Sequence, residues 1–284
     1  MTEKSPIPRH PEVSVMIFTL NEETNIESCL ESVSWSDDII VIDSGSSDRT
    51  RELCTGPTVR FFEHEFEGFG SQRNWAIRET SSKYDWILIL DADERVPADL
   101  ASEIETATRA AGPEIAAFKV RRRFYLWGRW LRYSNLYPTW VVRLIHKDRV
   151  RYKNRGHAET QEVEGEVLSL KHDLIDENRK GIDAWFDRQN RYSSQDALYE
   201  SEQSGQSTEF KHLFSADPLD RRAAFKQMTR KVPGRPVWYF LYSYMFRGGF
   251  LEGRDGLAYC TMRALYQGMI TAKKHDLKRR RVNS

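Results

Sequence analysis

Cysteine is scarce in this sequence: Cys29, Cys54 and Cys260 are the whole complement. An odd number without C-x-x-C spacing suggests neither a disulfide framework nor a thiolate zinc site, and reduced cytoplasmic thiols fit best. Apolar runs are short as well. None reaches the roughly 18 residues of an ordinary transmembrane helix; the longest candidate, Val237 to Phe246, is closed by Arg247. Met1 to Glu12 is polar, with Pro6, Pro8 and Pro11, so no secretory signal is expected there. Charge of one sign is lacking too, since the net charge is +1, which gives no global case for a nucleic-acid partner. Among motifs, a P-loop, a full G-x-G-x-x-G and an H-E-x-x-H are all missing, and Gly68-Phe69-Gly70 does not follow the first strand as a dinucleotide fingerprint would.

What is present describes a globular α/β chain. Hydrophobic residues make up 39%, with 8 Trp, 12 Tyr and 14 Phe, enough for a substantial core. The first half alternates short apolar runs with helical windows, the pattern of βαβ units and a mostly parallel sheet. Strands are expected at Val13 to Thr19, Asp38 to Asp43, Val59 to Phe62, Trp86 to Leu90 and Ile115 to Val120. Helices are expected at Glu22 to Val33, Ser47 to Cys54, Gly70 to Thr80 and Pro97 to Ala111, with Pro97 in the first turn of the last. Phe124 to Lys171 is less regular, with strands at Trp140 to Ile145 and Val167 to Leu170. From about Asp176 the pattern turns helical, which divides the chain into residues 1–175 and 176–284.

In an open parallel sheet, ligands bind beyond the carboxyl ends of the strands. Three polar clusters follow apolar runs there: Thr19-Leu20-Asn21-Glu22, Asp43 through Asp48, and Asp91-Ala92-Asp93-Glu94. Helix capping and ligand contact stand as alternatives for Asn21-Glu22 and Ser47-Asp48. Asp43 ends the run Ile39-Ile40-Val41-Ile42, where a carboxylate needs a partner, such as a base or a ribose hydroxyl. Asp91 and Asp93 leave a buried strand into a turn, and hard oxygen ligands of this kind suit Mg²⁺ or Mn²⁺ completed by substrate phosphates and water. Arg73, near the start of a helix, either faces a diphosphate or is a solvated helix residue. Arg155 to Glu159 lies outside any clear period, as an active-site loop would. In it His157 is a metal or phosphate contact and Glu159 a general base, unless the segment is a plain surface turn.

With these residues in view, the sequence resembles family 2 glycosyltransferases of the GT-A fold, in the branch that builds lipopolysaccharide core and exopolysaccharide. The likeness rests on Thr19-Leu20-Asn21-Glu22-Glu23, Val41 through Thr50, Gly68 through Asn74 and Leu90 through Arg95, with Asn190-Arg191-Tyr192-Ser193 and Gly249 through Gly253 in the helical tail. The resemblance implies that Thr19, Asn21, Glu22 and Asp43 hold the nucleotide, that Asp93 with Asp91 reaches the metal on the diphosphate, and that Arg73 contacts the donor phosphates. It further implies an inverting displacement with Glu159 as base. Many relatives have His and Glu adjacent, whereas here Ala158 separates His157 from Glu159, and Asp173 is the reserve base. The expected donor is a nucleotide-diphosphate sugar, a UDP-sugar first, and the expected acceptor a glycan or glycolipid. A sugar nucleotidyltransferase would need a Gly-rich loop at the first strand, which Thr19 to Glu23 lacks; a non-catalytic carbohydrate- or lipid-interacting protein would leave Asp91, Asp93 and Glu159 dispensable. The aromatic run Val237 to Phe246, with Arg230, Lys231, Arg235 and Arg247 around it and basic residues from Lys273 to Arg281 beyond, reads in two ways. It is a helix packed on the catalytic domain, or a peripheral contact at the inner face of the cytoplasmic membrane.

Overall fold

The structure is a computed structural model, and it describes residues 11–155, 158–202 and 234–282. Two compact units divide the chain: one comprises Met1–Arg132 with Tyr137–Gly181, the other Tyr133–Leu136 with Ile182–Ser284.

Among the described residues, the first unit is built on a nine-stranded sheet. Strands β1 (Val13–Thr19), β2 (Ile39–Asp43), β3 (Val59–Glu63) and β4 (Trp86–Asp91) lie in the order β3-β2-β1-β4, all parallel. The sheet continues through β8 (Thr139–His146), which runs antiparallel to both neighbours, to β6 (Ile115–Leu126) and β11 (Glu166–Glu177), parallel to each other. Short β5 (Glu94–Arg95) pairs with β11, and β7 (Arg129–Trp130) with β6. The reason the central strands read as unbroken apolar runs is that both faces are covered. Val15, Ile17, Val41, Leu88 and Leu90 meet helices α1 (Ile26–Ser32) and α4 (Ala98–Ala110) on one side. Met16, Ile40, Ile42, Ile87 and Ile89 meet α3 (Phe69–Glu79) on the other. Helix α2 (Thr50–Leu53) is a single turn. Pro97 stands just ahead of α4 rather than in its first turn.

The amino ends of the strands are closed by a structural polar cluster. Buried Asp38 accepts from Ser14 Oγ at 2.5 Å, from Arg60 Nη2 at 2.7 Å and from the Lys83 amide at 2.8 Å.

The segment expected to be irregular is mostly strand. β9 (Val150–Arg155) and β10 (Ala158–Val163) form an antiparallel hairpin that places Glu159 on a strand opposite Asn154. That hairpin packs on α3. Asn154 Oδ1 accepts from the Gly70 amide at 2.8 Å, while Asn74 donates to the Tyr152 carbonyl at 2.7 Å and accepts from its amide at 2.9 Å. A Cβ at position 70 would sit 2.9 Å from the Lys153 carbonyl carbon, which accounts for a glycine there. β11 is likewise longer than the expected strand at Val167 to Leu170, running to Glu177 across a register shift between Ser169 and Asp173.

In the second unit, helices α5 (Gly181–Glu202), α6 (Arg235–Leu241) and α7 (Gly253–Val282) carry the fold, with a π-helical turn at Tyr242–Phe246 and a 3₁₀ turn at Gly249–Glu252. Buried Glu200 is held by Arg235 Nη1 at 3.1 Å and Lys274 Nζ at 2.8 Å. Lys273 Nζ donates to the Asn190 carbonyl at 2.6 Å and Ser193 Oγ at 2.8 Å, and Glu252 accepts from the Tyr133 and Ser134 amides at 2.7 and 3.0 Å. These contacts give both tail motifs a structural duty. Among the described residues no helix is long and apolar enough to cross a membrane.

Candidate active site

Parallel register brings the three polar clusters together. Thr19 lies opposite Asp43, and Phe18 opposite Asp91, so β1, β2 and β4 end at one level. The loops after β1 and β2 are then sewn to each other. The Asn21 amide donates to Ser46 Oγ and the Ser47 amide to Asn21 Oδ1, each at 2.7 Å; the Glu22 amide donates to Thr50 Oγ1 at 2.7 Å, and the Glu23 amide to Asp48 Oδ2 at 3.1 Å. Asn21 sits at φ 54°, a left-handed conformation that asparagine tolerates better than most residues. Helix α1 begins only at Ile26, so Asn21 and Glu22 join the two loops rather than cap that helix.

Asp43, 2% exposed, is the acceptor that shapes the second loop. Its oxygens take hydrogen bonds from Thr19 Oγ1 (2.7 Å), the Gly45 amide (3.0 Å), the Ser46 amide (2.7 Å) and Ser46 Oγ (2.5 Å). A carboxylate offers about four acceptor positions, so the loop together with Thr19 at the end of β1 supplies the partners that burial demands.

Beyond β4 the two acids of the motif part company. Asp91 Oδ1 accepts from Arg73 Nη2 at 3.0 Å and Oδ2 from Arg143 Nη2 at 2.5 Å. Burial opposes ionisation of Asp91, but Arg143 and Arg73 outweigh it and hold the carboxyl well below the usual carboxylate range. Asp93 accepts instead from Asn178 Nδ2 at 2.8 Å. Its charge, second to burial itself, helps raise the pKa of Glu22, against the pull of Lys180. Lys180 Nζ contacts Glu22 Oε1 at 2.5 Å and the Leu20 carbonyl at 3.0 Å.

Arg73 is 3% exposed rather than a solvated helix residue. Its guanidinium lies between the rings of Phe18 and Tyr152, at 5.5 and 5.6 Å, and pairs with both Asp91 and Glu159. Asp173 is buried, with Arg121 Nε and Arg123 Nε each at 2.6 Å and Tyr137 OH at 3.0 Å. His157 lies outside the described residues.

The model of the family described as "Glycosyl transferase family 2" matches residues 14–166. The chain belongs to glycosyl transferase family 2. The lipopolysaccharide core biosynthesis glycosyltransferase LpsC of Rhizobium meliloti (strain 1021) is 29% identical over 301 residues, covering 96% of this chain and 96% of the relative. An uncharacterised glycosyltransferase of Rickettsia bellii (strain RML369-C) is 37% identical over 94 residues, 33% of this chain and 31% of that protein. Among solved structures, glucosyl-3-phosphoglycerate synthase from Mycobacterium tuberculosis, in complex with Mn²⁺, UDP-glucose and phosphoglyceric acid, has 18% identity and a TM-score of 0.45, covering 69% of this chain and 81% of that one.

In this glycosyltransferase, charged residues to which sequence reasoning gave no individual role lie directly behind the acidic turn, Glu94 of the Asp91-to-Glu94 cluster among them. Glu94, 1% exposed, accepts from the Asp91 amide at 3.0 Å and from Arg143 Nη2 at 2.6 Å, and Arg122 bridges toward Asp176 at 3.1 Å. Burial pushes the Glu94 carboxyl up to about 7 despite Arg143. One signal was available: Arg143 interrupts the apolar run Trp140 to Ile145, and a cation in a buried strand must have an anionic partner.

Proposed function

We propose that the chain transfers a sugar, with inversion, from a nucleotide-diphosphate donor, a UDP-sugar first, to a lipopolysaccharide-core or exopolysaccharide acceptor. One observation carries this reading: Glu159 and the Asp91-Ala92-Asp93 turn, 66 to 68 positions apart in sequence, are joined by Arg73. Family membership and the near full-length relation to LpsC support the reaction class and the acceptor. Catalysis is assigned to residues 1–175, with 176–284 as a helical extension.

The division of work follows from the contacts. Thr19, Asn21, Glu22 and Asp43 build the paired loops that receive the nucleotide. Among the described residues no group of three or more His, Cys, Asp or Glu is placed to hold a metal. Mg²⁺ and Mn²⁺ sites commonly use one or two carboxylates and leave the rest to phosphate and water, and Asp93 fits that role better than Asp91, whose oxygens are both engaged by arginines. When bound, the ion would stabilise charge on the leaving diphosphate. Arg73 contributes a fixed positive charge from beneath the site. Glu159 accepts the proton of the attacking acceptor hydroxyl, which is a poor nucleophile without a base within hydrogen-bond reach; Asp173, clamped by two arginines, is the reserve. The exposed apolar face of the extension, with Trp238 and Met245 outward and Phe246 82% exposed, supports peripheral contact with an anionic membrane.

A panel of UDP-, GDP- and dTDP-sugars tests the reading. Metal-dependent turnover of a UDP-sugar is expected, lost in Asp93→Asn, and reduced about 10²–10⁴-fold in Glu159→Gln with nucleotide affinity retained. Full turnover in excess chelator would refute the metal role. An unaltered rate for Glu159→Gln, with Asp173→Asn inactive, would move the base to Asp173.

A further inference from the structure

The far half of β6 carries cations where the near half carries core. Lys119, Arg121 and Arg123 alternate along it and so share one face of the sheet. The only carboxylate described against them is Asp173, which takes the Nε edges of both arginines. Lys119 and Arg121 lie over the Trp140 ring, both at 5.6 Å, and Arg123 and Arg132 lie over Trp130, at 5.0 and 5.8 Å. Tyr137 meets Trp130 edge-on at 5.2 Å.

This wall has more cation than its own fold uses. Three positive charges face one negative, yet the Arg121 and Arg123 side chains remain 30% and 41% exposed. Arg121 Nη2 donates to the Lys171 carbonyl, whereas among the described residues the Nη groups of Arg123 donate to no protein acceptor. A guanidinium fixed by stacking and by its Nε edge presents its remaining N–H groups in one plane, the geometry that reads a carboxylate or phosphate in two-pronged fashion. The half-buried indoles beside it offer flat apolar faces of the kind on which a sugar ring stacks.

The hairpin that brings Trp130 into place adds a second observation. It turns on Trp127-Gly128, both at positive φ (52° and 74°), a two-residue turn that ordinarily calls for Asn or Gly. A bulky residue in that conformation is strained, and here its indole is 58% exposed. Strain kept at an exposed aromatic, next to a surplus of guanidinium, is the mark of a ligand surface rather than of core packing.

We infer that Arg121, Arg123, Trp130 and Trp140 form the subsite for an anionic sugar of the acceptor, a residue bearing a phosphate or carboxylate, with Trp127 as an outer stacking platform. The inference rests on the reading that the acceptor is a glycan, and it names that glycan's chemistry. Asp173 then serves as the strut that aligns the two arginines.

The test uses the full chain and deacylated lipopolysaccharide core oligosaccharide in three forms: native, dephosphorylated and carboxyl-reduced. Binding is followed by calorimetry and by tryptophan fluorescence. Wild-type protein should bind the native form, and at least one of the other two should bind about 10-fold or more weakly, which identifies the anion as phosphate or carboxylate. Arg123→Gln should lose about 10-fold or more for the native form, Arg123→Lys should recover only part, and UDP affinity should stay at the wild-type value in both. Equal affinity of Arg123→Gln and wild type for the native oligosaccharide overturns the subsite, as does equal binding of all three forms or no binding by wild type. UDP titration and donor hydrolysis by wild type report on the donor site alone. Failure across the UDP-, GDP- and dTDP-sugar panel would remove the proposed transferase reading while leaving the oligosaccharide titration to stand or fall separately.

Discussion

Replacing Arg143 by methionine removes the cation between buried Glu94 and half-buried Asp91 while keeping an unbranched side chain of comparable length. Asp91 would retain Arg73 at 3.0 Å, but Glu94 would keep only the Asp91 amide and Arg122 at 3.7 Å. Breaking a buried ion pair on one side costs about 3–5 kcal/mol, because the remaining charge stays desolvated. For a unit of this size, at about 2–4 °C per kcal/mol, the melting temperature should fall by about 6–20 °C. The deficit should also depend on pH. A carboxyl whose folded pKa is raised contributes stability that is complete below its unfolded pKa and is lost as pH rises through the folded one. Glu94 stands at about 7 with Arg143 present and would rise further without it, so the gap between variant and wild type should widen between pH 5 and pH 8.5. Urea unfolding followed by circular dichroism at both pH values measures this, with Arg143→Met/Glu94→Gln as the partner that should recover part of the loss. A variant within about 1 kcal/mol of wild type, or a gap that narrows with pH, would refute the buried-pair account.

Asp43→Ala strips Thr19, Gly45 and Ser46 of their shared acceptor and so should weaken UDP binding in calorimetry by about 1–3 kcal/mol, through donors left unsatisfied in the loop that receives the nucleotide; unchanged affinity would show that binding does not depend on that loop's shape. Gly70→Ala forces a Cβ against the β9 backbone and should cost about 1–3 kcal/mol in denaturant unfolding, whereas wild-type stability would show that α3 and the hairpin separate easily. In vesicle co-sedimentation at low salt, the full chain should pellet with anionic lipid, less so at high salt, in Trp238→Ser/Phe246→Ser, or in a chain ending at Asp276. Protein that stays in the supernatant with anionic vesicles at low salt would leave the aromatic segment with a packing role alone.

The central sheet was legible because its strands are buried on both faces, which writes a continuous apolar run. β1 has the expected limits, and β2 starts one residue later than expected. The β9–β10 hairpin was harder to see. Val150 and Tyr152 point inward between Arg151 and Lys153, a period of two, but the strand is short and its partners on α3 lie far away in sequence, as with the 84 positions between Gly70 and Asn154. β11 was cut short because its register shifts before Asp173, which breaks the alternation that marks a strand. The motif residues after β1, β2 and β4 were singled out because polar residues that end apolar runs stand out in a sequence, and parallel register brings them to one level. Glu94 was read only as part of the acidic cluster, and Arg122 and Arg143 were given no role, since each is an ordinary charged residue until its partner is known.

The stitching between the β1 and β2 loops has a consequence for engineering this chain. Asn21, Glu22 and Glu23 on one loop and Ser46, Ser47, Asp48 and Thr50 on the other supply each other's hydrogen-bond partners across 25 to 28 positions of sequence. Such loops are inherited as a pair. A graft that imports the first from a related enzyme and leaves the second in place would strand backbone amides at the carboxyl ends of β1 and β2, so a chimera has to exchange both segments together or neither.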